Sequence, residues 1–210
     1  MTDPVAAGGE PRLAADGLSR FLMRFLLIAA VLGFGVLREA RPLTEALLPL
    51  FEIELRHLDD TFRLDALYID RDGADEVVRI DVGLAHALSL NGRTFYPDSR
   101  GRATASTLVG NVTLPPVLLV AAAMAWPLRN NRRWAARVLL LVPALLLLCL
   151  LDAPFILWAA LWGLVVQAAD PDRFSSLLTW SDFLLCGGAV ALALALGAAV
   201  GSLTGRSSRS

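Results

Sequence analysis

From Val138 to Ala169 the chain runs for 32 residues with one charged side chain, Asp152. As a single helix that stretch reaches roughly 48 Å, against a bilayer core of about 30 Å. A run this long and this apolar belongs in a membrane, and it has to tilt, kink or climb out of the hydrocarbon. The step Asp152-Ala153-Pro154 is the expected break. Proline disfavours helix at the residue before it, so a new helix starts at or just before Pro154, with Asp152 beside its first turn. Trp158 and Trp162 then fall near the outer interface, where indole rings are favoured.

Three more apolar blocks share this character. The first, 21–37, is apolar apart from Arg24, which can snorkel to the interface. It reads as an uncleaved anchor. A signal peptide would share its basic start, but a cut after Ala40 would put Arg38 where a small residue is wanted. The second, 106–128, reads as a helix kinked at Pro115 and Pro116, with Asn111 and Thr113 toward one end. The fourth, 183–205, alternates Ala and Leu as a strand can, but its uncharged length argues for a membrane helix. The fold class is thus a mostly α membrane protein. It has four transmembrane helices and a small extracytoplasmic antiparallel β segment.

Composition agrees with that class. The apolar share is 56%, and Gly 16, Pro 11 and Cys 2 exclude collagen, disorder and a disulfide scaffold. A net charge of −1 leaves no basic footprint for nucleic acid. Arginine placement sets the orientation. The segment 129–137 carries Arg129, Arg132, Arg133 and Arg137 with no acid, and the tail 206–210 carries Arg206 and Arg209. Both read as cytoplasmic, as does the N-terminal tail 1–20. The opposing loop 170–182 holds Asp170, Asp172 and Asp182 against Arg173 alone. Localisation is then a bacterial inner membrane, multi-pass, with both termini cytoplasmic. Trp126, Trp134 and Trp180 stand at span ends.

The soluble part is 38–105, with 13 of the 20 acidic residues, which puts the water-facing chemistry there. Thr44 to Leu50 reads as a short helical turn limited by Pro49. A period of two follows, in Phe51/Ile53/Leu55, in Phe62/Leu64/Ala66/Tyr68 and in Val78/Ile80/Val82, each read as the inner face of a strand. Asp72-Gly73 and Asn91-Gly92 are hairpin-turn dipeptides. A sheet of three to five strands is too small to bury much core alone, and leans on the spans or a partner.

Candidate chemistry is sparse. The carboxylates of Asp70 to Glu76 lack the spacing of a calcium loop and read as an acidic turn. His57 and His86 are isolated, so neither begins a metal site, and no cofactor is expected. Cys149 and Cys186 sit in apolar blocks and read as inert thiols. Asp152 is the candidate functional intramembrane acid. An ionisable group in hydrocarbon is expensive, and its bland alternative is a cap on the helix after the break. Gly197, Gly201 and Gly205 recur at every fourth position and form a candidate helix-packing face, extended by Ala189 and Ala193. Internal packing is the expected use. Motifs of serine, metallo and P-loop enzymes are missing, and no catalytic residue is assigned.

The layout resembles a family of small bacterial membrane proteins associated with exosortases, the membrane enzymes that process C-terminal sorting signals. The resemblance rests on the N-terminal anchor, the strand segment, and Ala103-Thr104-Ala105-Ser106-Thr107-Leu108-Val109-Gly110-Asn111 leading into Pro115-Pro116. It rests also on Trp126-Pro127, Leu151-Asp152-Ala153-Pro154, Trp180, Phe183-Leu184 and Gly187-Gly188. It implies a non-catalytic accessory to surface-protein sorting, with the lipid bilayer and a membrane-embedded exosortase or other membrane protein as partners. The alternative is a small transporter or channel subunit using Asp152, with Asn111 and Thr113 as further polar positions.

Overall fold

The computed structural model describes residues 10–58, 60–98, 101–127, 131–170 and 174–205, with side chains at all of these except 10–17, 131 and 132. Arg129, Asp172, Arg173 and the tail 206–210 lie outside the described residues.

Helix α1 runs from Glu10 to Leu58, roughly 74 Å at helical rise, and bends at Glu39 (φ −117°, ψ 20°). Pro42 supplies the cause: its missing N–H and its ring both disrupt the turn that ends at Arg38. Before the bend the helix exposes Leu22, Leu26, Leu27, Val31, Phe34 and Leu37. Beyond it the helix is amphipathic. Thr44, Phe51 and Leu55 are buried along one stripe, while Arg41–Glu45 (2.9 Å) and Arg56–Glu52 (2.6 Å) pair along the outside.

Two expectations fail here. There is no short turn ending near Pro49, and 51–56 is helix rather than strand. Six residues of alternating polarity fit either period. Burial resolves them, because Phe51 is fully buried and Leu55 nearly so, while Ile53 is 59% exposed.

Strands β1 (Phe62–Asp72), β2 (Asp75–Leu84) and β5 (Ala103–Leu108) form an antiparallel sheet in the order β1-β2-β5. Strands β3 (Leu88–Leu90) and β4 (Arg93–Phe95) form a separate hairpin. Asn91 and Gly92 both have positive φ (46° and 75°), as a two-residue type I′ turn between Leu90 and Arg93 requires. The first hairpin turns on Gly73-Ala74 instead, with only Gly73 at positive φ, between the paired Asp72 and Asp75.

The inner face of β2 is Val78, Ile80 and Val82, all at most 1% exposed. On β1 the register slips between Leu64 and Ala66, and this bulge changes which residues face inward. Leu67 and Ile69 join Phe62 and Leu64 against the core, and Ala66 is exposed. The expected single face of Phe62, Leu64, Ala66 and Tyr68 is therefore wrong beyond the bulge. Tyr68 donates to Asp81 (3.1 Å) on the outer face, where Asp81 also accepts from Thr104 (2.8 Å). The acidic turn is an ion-paired one, with Arg79 on Asp70 at 2.5 Å.

Helix α2 spans Val109–Ala125, α3 Asn131–Leu151, α4 Ala153–Ala169, α5 Ser176–Phe183 and α6 Ala189–Gly205. A single wide π turn, Leu184–Gly188, joins α5 to α6. Several boundaries differ from the sequence reading. Residues 106–108 end β5, and α2 starts at Val109. α3 already begins inside the expected Arg-rich loop, and Arg137 lies on it, fully buried. α5 occupies much of the expected loop 170–182.

The long third block divides as its length demands. α3 packs with α2 and α6, whereas α4 packs with β5, α5 and the far half of α1. The sheet's inner face closes on α4 through Val78, Ile80, Leu157, Trp158 and Leu161, and Phe62 meets Trp158 edge to face at 5.1 Å. Three stretches, Leu18–Leu58, Arg133–Ala169 and Ser176–Gly205, are long and apolar enough to cross a membrane. α2, at 17 residues, is shorter. The fold is mostly helical with a small antiparallel sheet at one end of a helical bundle.

Candidate functional site

Helix α3 stops at Leu151 and α4 starts at Ala153, so Asp152 is the hinge residue. The carbonyl of Leu151 accepts from the Trp180 indole N–H at 3.4 Å, and the Ile156 N–H bonds the Asp152 carbonyl at 3.1 Å. Backbone is thus satisfied on both sides of the break. The Asp152 side chain takes no part in this. It makes no capping hydrogen bond, because its backbone (φ −103°, ψ −91°) is not the extended conformation from which a cap reaches back. It is 3% exposed, and its Oδ1 has no partner among the described residues. The cap reading of Asp152 is therefore not what the side chain does.

That carboxylate lines a cavity. A narrow chamber of about 90 Å³ lies between Asp152, Pro115 and Asn111 of α2, and the π turn at Leu184, Leu185 and Gly187. Asn111, Ile156 and Leu185 also line a wider, more open chamber of about 410 Å³ between α4, α5 and the end of β5. The two chambers adjoin at these shared residues, and the cleft comprises both. Its wide part adds Thr107, Gln167, Ser181 and Asp182 to apolar walls from Ile156, Ala159, Leu164 and Leu178. Thr107 is buried and its Oγ1 also has no partner. Among the described residues, every charged side chain lining either chamber is acidic. Gly187 has φ +103°, a value only glycine holds without strain, and its turn shapes the chamber wall opposite Asp152.

The cleft ends blind. Between Asp152 and Arg137, the bundle is filled by Leu119, Ala123, Leu141, Ala144, Leu148 and Ala193. Gly197 and Gly201 lie at the crossing of α2 and α6. A Cβ at Gly197 would stand 2.5 Å from the Leu119 carbonyl, and one at Gly201 would collide with the Trp126 indole. Gly205 is looser, with its nearest neighbour, Trp126, 4.0 Å from such a Cβ. At that end Arg137 donates to the Trp126 carbonyl (2.8 Å) and to Thr204 Oγ1 (3.0 Å), fixing the C-terminal end of α2 to α3 and α6.

Of the positions singled out in the sequence, Asp152 and Asn111 meet in the cleft. Thr113 does not; its hydroxyl bonds the Val109 carbonyl at 3.0 Å. Cys149 is buried beside the break and Cys186 is exposed on the turn, both as free thiols. His57 bonds the Ile53 carbonyl on α1 (2.6 Å), and His86 is exposed near the sheet. Among the described residues, no three His, Cys, Asp or Glu side chains are grouped to hold a metal. Nothing in the sequence assigns Thr107, Gln167, Ser181 or Asp182 to a site. The one available signal was Gly187-Gly188 inside an apolar run, since paired small residues mark kinks.

Fold and cleft together define a mostly helical membrane protein that carries an acid-ended cleft beside a small sheet. Comparison with protein-family models, with curated proteins and with solved structures found no match.

Proposed function

We propose that this chain is a non-catalytic accessory subunit of membrane machinery, and that its cleft is where a membrane partner engages it. The observation that carries the reading is the buried carboxyl of Asp152, its Oδ1 without a partner among the described residues, in the lining of a cleft with apolar walls. An unpaired acid at membrane depth is costly unless something completes it. The resemblance to exosortase-associated proteins supplies the machinery: processing of C-terminally sorted surface proteins. In this reading the membrane is the bacterial inner membrane and the chain crosses it four times, with both termini cytoplasmic. The sheet then lies outside, at the mouth of the cleft. The apolar layer below Asp152 argues against a transport path through the bundle.

Deletion of the gene, with complementation, tests the assignment. A surface protein bearing a sorting signal should accumulate unprocessed in the deletion strain, and the intact chain should restore processing. The Ala160→Trp variant should not, because Ala160 is an exposed wall residue of the wide chamber and the indole would fill it. Normal processing in the deletion strain would remove the exosortase assignment.

A further inference from the structure

Resting on the accessory reading, we infer that the cleft receives a cationic, hydrogen-bond-donating side chain, Lys or Arg, from a partner polypeptide's membrane segment, with its head against Asp152. Three independent features carry this. The first is charge. Asp152 and Asp182 line the cleft and, among the described residues, no basic side chain does, so the charge it offers is negative. Asp152 Oδ1 and Thr107 Oγ1, both on residues more than nine-tenths buried, lack partners among the described residues. A guanidinium or ammonium carries donors and positive charge, which match the Asp152 carboxylate.

The second feature is shape. The narrow chamber of about 90 Å³ has room for a compact polar head or for a few waters, and Pro115, Leu184 and Leu185 flank it closely. The wide chamber of about 410 Å³ has apolar walls, suited to a methylene stem. Lys and Arg combine those two parts in one side chain.

The third feature is position. The acid stands at the sheet end of α3, fifteen positions and so roughly 22 Å beyond buried Arg137. A partner helix running beside α4 and α5 can present a basic residue there without carrying its charge through the bundle's apolar layer.

The test uses the full-length protein in mild detergent, with octylguanidinium and its neutral isostere octylurea as probes, read by tryptophan emission and by the thermal midpoint. Trp158 and Trp180 pack against elements of the cleft. Octylguanidinium should bind saturably and raise the midpoint, with octylurea about tenfold weaker or more, since a charged donor–acceptor pair exceeds a neutral one. Asp152→Asn, similar in shape, should abolish that preference. Ala160→Trp leaves Asp152 intact and should block binding, which keeps the test decisive if the Asn variant fails to fold.

A second arm places the protein in lipid nanodiscs with a dansyl-labelled transmembrane peptide carrying one Arg in its outer third. Energy transfer should be strong, and should fall at least tenfold when that Arg is Gln. Equal binding of octylurea, or unchanged selectivity in Asp152→Asn, overturns the cationic head. Binding of octylguanidinium without the peptide overturns the polypeptide guest and leaves a cationic amphiphile. These results do not depend on sorting. Selective binding with normal processing in the deletion strain would sink the sorting role and leave the site standing.

Discussion

At the residue scale, the α2–α6 contact depends on the lack of side chains. Gly197 lets the backbone of α6 reach the Leu119 carbonyl, and Ala122 flanks the same point. Such close approach is how helices associate where lipid removes the hydrophobic drive. Gly197→Val should therefore cost about 2–3 kcal/mol by overpacking, while Gly205→Ala should stay within about 0.5 kcal/mol. Thermal unfolding in mild detergent measures both, and equal effects would contradict the crossing described. Glu54 is the other informative residue. It lies on the half of α1 that packs toward the sheet, its Oε2 is buried without a partner, and burial pushes its carboxyl up to about 7. The folded state thus binds the proton more tightly than the unfolded chain. Stability is full below the ordinary carboxylate range and declines as pH rises from about 4.5 through 7. Glu54→Gln should flatten that decline. Because the group is only partly buried, solvent screens it and the gain at pH 8 should be no more than about 1 kcal/mol. An unchanged pH profile would assign the decline elsewhere.

At the element scale, α1 shows how one helix serves two environments. From Phe21 to Leu37 it is apolar apart from Arg24; beyond Pro42 it carries one buried stripe and an ion-paired outer face. The distinction between helix and strand at 51–56 can be measured. In a strand Phe51, Ile53 and Leu55 would share a face and matter alike. In the helix Phe51 is fully buried and Ile53 is mostly exposed. Phe51→Ala should cost about 3–4 kcal/mol and Ile53→Ala less than about 1 kcal/mol, compared by thermal unfolding. Similar losses at both positions would restore the strand. The π turn at Leu184–Gly188 matters in another way. It lets α5 leave the line of α6, and that departure opens the wall facing Asp152.

At the scale of the whole molecule, the sheet is no independent domain. Its inner face is completed by α4 and by the far half of α1, and the Arg93 guanidinium bonds the Ala168 carbonyl (2.7 Å), fastening the β3–β4 hairpin to the end of α4. The small sheet gains its core from helices whose own apolar faces need cover there. The orientation proposed above places this assembly outside. In a variant lacking Cys149 and Cys186, Asp98→Cys should react with an impermeant thiol reagent in intact cells. Reaction only after lysis would reverse the topology.

Membrane class, the break at Asp152 and the sheet's Val78/Ile80/Val82 face were legible in the sequence, because length without charge and strict alternation are local signals. Proline three residues after Glu39 was equally visible, yet the helix beyond it was misread, since a six-residue window fits two periods. The β1 bulge, the depth of Arg137 and the cleft had no such signal. Each depends on what packs opposite: Val82 and Asp81 pairing around the bulge, the Trp126 carbonyl meeting Arg137, and α5 folding back on α4. Sequence alone marked Asp152 as an expensive charge at the break. Only the tertiary structure decided that its backbone angles prevent capping, and so that the carboxylate faces a cavity rather than a helix end.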